Sequence, residues 1–174
     1  MNLQDDDFTL FGVPATFAQD RAVLDARWRQ LQAQVHPDRF AAEGAAAQRV
    51  AMQWAVRVNE AYARLKDPLA RAQYLCERRG AAVDAEHNTA MPAAFLMQQM
   101  EWREALQDAT QARDVDQLDG LLRALRQEKR ERHAALGALL DAGDNEAAGA
   151  AARQLMFIEK IEHDASEAID RLED

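Results

Sequence analysis

An all-α protein in two parts is predicted by three observations. The chain is rich in Ala, Leu, Arg, Gln and Glu, all good helix formers, with 6% aromatic residues, 7 Gly and 4 Pro. Apolar residues recur at steps of three and four along most of its length, the spacing that lines one face of a helix. The Pro residues and most of the Gly residues stand between these periodic stretches, where they stop one helix and admit the next. At 174 residues, 48% of them hydrophobic, the chain can bury a core in each of two domains.

Asp7 to Val13 reads as a short helix or turn with Phe8 and Phe11 inward. Pro14 to Gln19 is a connector, and Asp20 is an N-cap for the next helix. From Arg21 to Val35, Leu24, Trp28, Leu31 and Val35 form one helical face. Arg27, Gln30 and Gln34 lie opposite, with Asp25 and Arg29 beside them. Pro37 ends this helix, because its ring has no N–H to donate and pushes His36 out of the α region. His36, Pro37 and Asp38 are therefore expected on an exposed tip.

A loop through Gly44 leads to a helix over Ala45–Leu65, with Val50, Trp54, Val58, Ala61 and Leu65 as its buried stripe. The two stripes match, so the helices are expected to pack as an antiparallel hairpin with Trp28 and Trp54 meeting, or nearly so, in the seam. Asp67 caps and Pro68 opens the next helix, which ends at Gly80.

Residues 81–92 read as a linker between a domain over 1–80 and a second over 93–174. Helices are predicted over Ala93–Arg113, Val115–Asp141 and Glu146 to the end, joined by short turns into a three-helix bundle. Leu118, Leu122, Leu125, Leu136 and Leu140 point inward from the middle helix. Ala151, Leu155, Ile158, Ala165, Ile169 and Leu172 do so from the last.

In the first helix of the bundle, Phe95, Trp102 and Leu106 are a sufficient core stripe. Leu96, Met97 and Met100 fall on another arc, shared with Glu101, Glu104 and Asp108. This is either a wide buried face or an acid-rimmed apolar patch for a partner. Phe157 lies about 100° off the centre of its own stripe and is placed to extend that patch.

Charge narrows the function classes. The net charge is −9, but residues 1–80 carry 11 Lys/Arg against 10 Asp/Glu, and residues 81–174 carry 10 against 20. Nothing concentrates the basic charge that phosphates require, so no nucleic-acid partner is expected. No apolar run approaches the roughly 20 residues that span a bilayer. The start, Met1 to Asp7, lacks the basic-then-apolar order of a signal peptide, and the single Cys76 cannot form an internal disulfide. A cytoplasmic location is expected.

His36 and Asp38 have the chemistry of an acid–base pair. No further constellation supports catalysis: there is no Gly-rich phosphate loop and no nucleophile in context, Ser166 being the one serine. His36, His87, His133 and His163 are scattered without ligand spacing. Neither enzymatic activity, nor a metal, nor a cofactor is expected.

The tip and its surroundings form a pattern. Asp7-Phe8-Thr9-Leu10-Phe11-Gly12-Val13 precedes a helix with outward arginines and then His36-Pro37-Asp38-Arg39. The next helix closes on Asn59-Glu60-Ala61-Tyr62, Leu65 and Asp67-Pro68, followed by Arg71 and Tyr74. This resembles a J-domain across residues 7–76. Taken with Arg71-Ala72-x-Tyr74-Leu75 and Phe95-Leu96-Met97-x-Gln99-x-Glu101-x-Arg103-Glu104, nearly the whole chain resembles the J-type co-chaperones of iron–sulfur cluster assembly.

That resemblance implies an L-shaped arrangement of J-domain and bundle, and two protein partners. His36, Pro37 and Asp38 would dock on a DnaK-type ATPase chaperone, HscA, with Asp38 pairing an arginine there. Arg27, Arg29 and Arg39 would form a basic edge beside the tip, suited to steering an acidic partner. Leu96, Met97, Met100, Glu101, Glu104 and Phe157, with Asp108, would bind the cluster scaffold IscU. Gln98 and Trp102 depart from the commoner Glu and Leu at their positions, and Trp102 is assigned to the core. The competing expectation is a general J-protein for misfolded chains, with a dimerising bundle.

Overall fold

The computed structural model describes residues 2–81, 83 and 91–173. Among them lie helices α1 (Asp7–Phe11), α2 (Arg21–Val35), α3 (Ala45–Lys66), α4 (Pro68–Arg78), α5 (Ala93–Ala112), α6 (Val115–Asp141) and α7 (Asn145–Glu173). A 3₁₀ helix over Pro37–Glu43 fills what reads in the sequence as a loop, and no described residue is in a strand. The all-α class is as expected. The chain divides into two compact units, Met1–Leu75 and Cys76–Asp174, so the division falls within α4, not after Gly80.

In the first unit, Asp20 Oδ1 accepts the Ala22 N–H at 2.8 Å and starts α2. α2 and α3 run antiparallel: Gln32 and Trp28 both donate to Asn59, while Asp25 pairs with Tyr62 further along α3. Leu24, Leu31 and Val35 of α2 are buried, as are Val58, Ala61 and Leu65 of α3. Phe8 and Phe11 of α1 are buried as well, and α1 packs on both hairpin helices.

Two expectations about this hairpin are corrected. Val50 is 51% exposed, and Ala51 is buried in its place. Ala51 stands seven residues before Val58, about 20° from it around the helix, whereas Val50 is about 80° away. Trp28 does not take Trp54 as its partner but stacks on Tyr62, at 5.0 Å between ring centroids. The Tyr62 hydroxyl donates to Asp25 Oδ1 at 2.6 Å, and Arg21 Nε donates to the same oxygen at 2.6 Å. Tyr62 first, and Arg21 second, hold the Asp25 carboxyl below the ordinary range.

A buried carboxylate ties α1 to α3. Asp7 is completely buried, with Oδ1 2.7 Å from Arg57 Nη1 and Oδ2 2.7 Å from Arg64 Nε. Its backbone N–H donates to the Tyr74 hydroxyl of α4 at 3.0 Å. Tyr74 in turn stacks on Phe8 and lies under the Arg64 guanidinium.

Asp67 Oδ1 caps α4 through the Ala70 N–H, and Gly80 takes φ 79, the left-handed turn expected after that helix. In the second unit, Arg79 Nη1 donates to the Leu140 carbonyl at 2.8 Å, and the Val83 carbonyl accepts from Arg153 at 3.0 Å. Val83 is buried, so this part of the expected linker packs on the bundle, while residues 84–90 lie outside the described residues.

All five inward leucines of α6 are buried. On α7, Leu155, Ile158 and Ala165 are buried as expected, but Ala151, Ile169 and Leu172 are only half-buried. Ala148, Ala152, Ile161 and Ala168 fill the seam in their place. Small residues let the α6 and α7 backbones approach, and side-chain size is a poor guide to which arc does so.

Glu162 of α7 accepts hydrogen bonds from Lys129 and, at 3.1 Å, from Arg126, both on α6. Partial burial alone would raise its carboxyl, but the hydrogen bonds from Lys129 and Arg126 outweigh that and hold it below its ordinary value of 4.5. A depressed carboxylate stabilises the fold above its unfolded value, and that contribution is lost as pH falls through the folded one. In urea melts, the parent's advantage over Glu162→Gln should stay level from pH 7 to about 5 and shrink below that. An advantage unchanged at pH 3 would refute the ion cluster's role.

Candidate functional site

Two surfaces stand out, one on each unit. The first is the tip after α2. His36 leaves the helix at φ −62, ψ 127, as the residue before a proline should, and Pro37 takes the first position of the 3₁₀ helix. The Asp38 N–H donates to His36 Nδ1 at 3.3 Å, and the two side chains approach to 3.6 Å. The Asp38 side chain remains 91% exposed. Its carboxylate thus stands in solvent on a backbone fixed from both sides.

The three expected arginines differ in setting. Arg39 Nη1 donates to the Ala33 carbonyl at 2.8 Å, so this residue staples the tip onto the end of α2. Arg27 hydrogen-bonds Gln30 at 3.3 Å and lies against α1 near Gly12. Arg29 is exposed one turn beyond Asp25, on the other flank of α2. Residues two apart point about 200° apart on a helix, so Arg27 and Arg29 form two flanks and not one edge.

Beside the tip lies an apolar groove of about 490 Å³, lined by Gln34, Val35, Phe40, Val50, Ala51 and Trp54 among others. Sequence reasoning missed it by assigning Val50 and Trp54 to the core. The signal available was that Val50 and Ala51 compete for one arc, and only one of them fits it.

The second surface lies on α5. Phe95 is buried with Leu125, Ile158 and Ile161, and Trp102 packs on that cluster, edge-on to Phe95 at 6.3 Å. Leu96, Met97 and Met100 face outward, at 46%, 64% and 70% exposure. Leu96, Met100, Glu104 and Asp108 succeed one another at steps of four, and Met97 and Glu101 form the adjoining row. All the acids of this set are exposed. Phe157 is half-buried and packs against the Phe95 cluster, so its ring belongs at least in part to the core beneath α5.

Sequence reasoning missed Arg132. From α6 its guanidinium reaches Glu128 at 2.6 Å, Gln154 of α7, and Gln98 of α5 at 3.3 Å, and it sits 4.7 Å over the Phe95 ring. It clasps all three helices directly beneath the patch. No helix among the described residues is long and apolar enough to cross a membrane, and no group of three or more potential ligands among them is arranged for a metal ion.

Comparisons with known proteins point to one family. A family model described as the HSCB C-terminal oligomerisation domain matches residues 91–166. The chain is 70% identical over 172 residues to the co-chaperone protein HscB homolog of Cupriavidus taiwanensis, covering 99% of this chain and 98% of the relative. It is 59% identical over 172 residues to that of Paraburkholderia xenovorans, covering 99% and 98%. The solved structure of the chaperone HscB from Vibrio cholerae superposes with a TM-score of 0.85 at 34% identity, covering 97% of this chain and 99% of that one. The human co-chaperone protein HscB shares the fold, with a TM-score of 0.90 at 24% identity over 96% and 83% of the two chains.

A helical hairpin with a His-Pro-Asp tip, joined to a three-helix bundle, defines a J-type co-chaperone. Identity at this level over nearly the full length narrows the class. The chain belongs to the HscB co-chaperone family.

Proposed function

We propose that this chain binds the iron–sulfur scaffold IscU through the α5 patch and delivers it to an HscA-type chaperone, whose ATPase it stimulates through the tip. The observation that carries this reading is the outward display of Leu96, Met97 and Met100, continued along the same face by Glu101, Glu104 and Asp108, on a helix whose core stripe is already complete. The groove beside the tip offers the chaperone an apolar contact next to the Asp38 carboxylate. Holding the scaffold and the tip on one chain raises their effective concentration at the chaperone, which requires no catalysis by this chain. In this reading the setting is cytoplasmic, the partners are proteins and not nucleic acid or membrane, and this chain contributes no metal or cofactor of its own.

Calorimetric titration with IscU tests the patch. Leu96→Ala combined with Met100→Ala should weaken binding by about 2 kcal/mol or more, roughly 30-fold, while leaving the melting curve unchanged. Phe157→Ala should instead lower stability by about 1–3 kcal/mol, because its ring is part of the packed cluster. Undiminished binding by the double variant would remove the patch from the mechanism.

The family model's description as an oligomerisation domain favours a second reading, in which the bundle pairs with another copy. Light scattering separates the two: a dimer that Leu96→Ala with Met100→Ala breaks would favour the second.

A further inference from the structure

The two most exposed residues of the patch are both methionines, at positions three apart and therefore neighbours on one helix face. A thioether is the apolar side chain that a mild oxidant converts to a polar one. Leucine at either position would give similar apolar area without that sensitivity. We propose that Met97 and Met100 form an oxidation-sensitive modification site that turns scaffold binding down when hydroperoxide is present; the inference rests on the scaffold-binding reading above.

The chemistry balances within the pair of reactants. Hydrogen peroxide delivers one oxygen to the thioether sulfur: an S–O bond forms, the O–O bond breaks, the sulfur loses two electrons, and the peroxide leaves as water. The product sulfoxide is polar and chiral, and its oxygen must be desolvated if the patch is to be covered by a partner. Neighbouring Glu101 and Glu104 offer it no hydrogen-bond donor when ionised, and Arg103, three residues after Met100, is the one adjacent side chain on α5 that can donate to it. The loss therefore falls on binding, while the bundle, whose core excludes both side chains, keeps its fold.

Other sulfurs are placed differently. Cys76 is fully buried, and Met91 packs against the Phe95 cluster. Met52 is 58% exposed but sits on α3 in the other unit, and Met156 is 36% exposed on α7 of the bundle itself, so both serve as internal controls that the double variant retains.

The test treats the full chain with hydrogen peroxide, maps oxidised methionines by peptide mass, and titrates the product with IscU. Oxidation at positions 97 and 100 should weaken binding by about tenfold or more with unchanged helical circular dichroism, and a methionine sulfoxide reductase should restore it. Met97→Leu with Met100→Leu should bind like the parent and keep that affinity after the same treatment, although Met52 and Met156 remain open to the oxidant. Undiminished binding by fully oxidised parent, equal loss in the double variant, or loss that accompanies melting would each overturn the switch alone. Absence of IscU binding before any treatment would overturn the scaffold reading and the switch with it.

Discussion

Asp38→Asn is expected to abolish stimulation of the chaperone's ATPase while leaving IscU affinity within about twofold of the parent, since the two surfaces lie on separate units. The exchange keeps the shape of the side chain and removes its charge. A carboxylate accepts both arms of a guanidinium, whereas an amide turns one acceptor into a donor facing N–H groups. Losing one partner of a desolvated charge pair costs about 2–5 kcal/mol, enough to remove a transient docking step. The fold should not register the change, because the side chain is 91% exposed and exposed substitutions stay within about 0.5 kcal/mol.

His36→Gln tests the same point from the other side. It removes the imidazole whose Nδ1 accepts the Asp38 N–H, so the carboxylate keeps its charge but loses the group that orients its backbone. Single-turnover ATP hydrolysis with and without the chain reads both variants. Full stimulation by Asp38→Asn would mean that the tip is not the docking point.

Asp7→Ala should lower the stability of the first unit by about 3–5 kcal/mol, as much as truncating one of its buried phenylalanines. The carboxylate is completely buried and answers two guanidinium groups, Arg57 and Arg64, of which Arg57 is itself largely buried. Its removal leaves the largely buried Arg57 guanidinium, which also donates to the Asp5 carbonyl at 2.7 Å, without a counter-charge, and that penalty exceeds the small net worth of the intact pair. Asp7→Asn keeps the volume and one acceptor and should lose less. Urea unfolding monitored by Trp28 and Trp54 emission, in a Trp102→Phe background, reports this unit alone. A loss under about 1 kcal/mol would show that water reaches the pair.

Asp7 also marks where sequence reasoning stops. In sequence it is one of three consecutive aspartates in an acidic start, and its partners lie 50 and 57 residues away. Periodicity reports which face of a helix is apolar; it carries no information about which distant arginine meets which acid. The tip, by contrast, was legible because Pro37 imposes its break covalently, whatever surrounds it. The α5 patch was legible because Phe95, Trp102 and Leu106 already satisfied the core, leaving three apolar residues without a structural task.

Val50 and Trp54 show a subtler failure. Apolar size favoured Val50 for the seam, but the position an alanine occupies is decided by how closely two backbones approach, and residue-level hydrophobicity does not encode that distance. The groove beside the tip was hidden by the same error. Arg132 was hidden for a related reason: a lone arginine on a charged helix reads as solvated until three helices are seen to converge on it.

The hydrogen bond from Arg39 to the Ala33 carbonyl has a consequence for timing. A tip latched to the helix behind it presents one shape before any partner arrives. Docking then requires no folding on contact, and its rate is set by collision and orientation, on the order of 10⁵–10⁷ M⁻¹s⁻¹ for preformed protein surfaces. Release is equally free of refolding. On the proposed docking role, a contact that forms and dissolves without refolding would let a single co-chaperone molecule serve several chaperone molecules in succession.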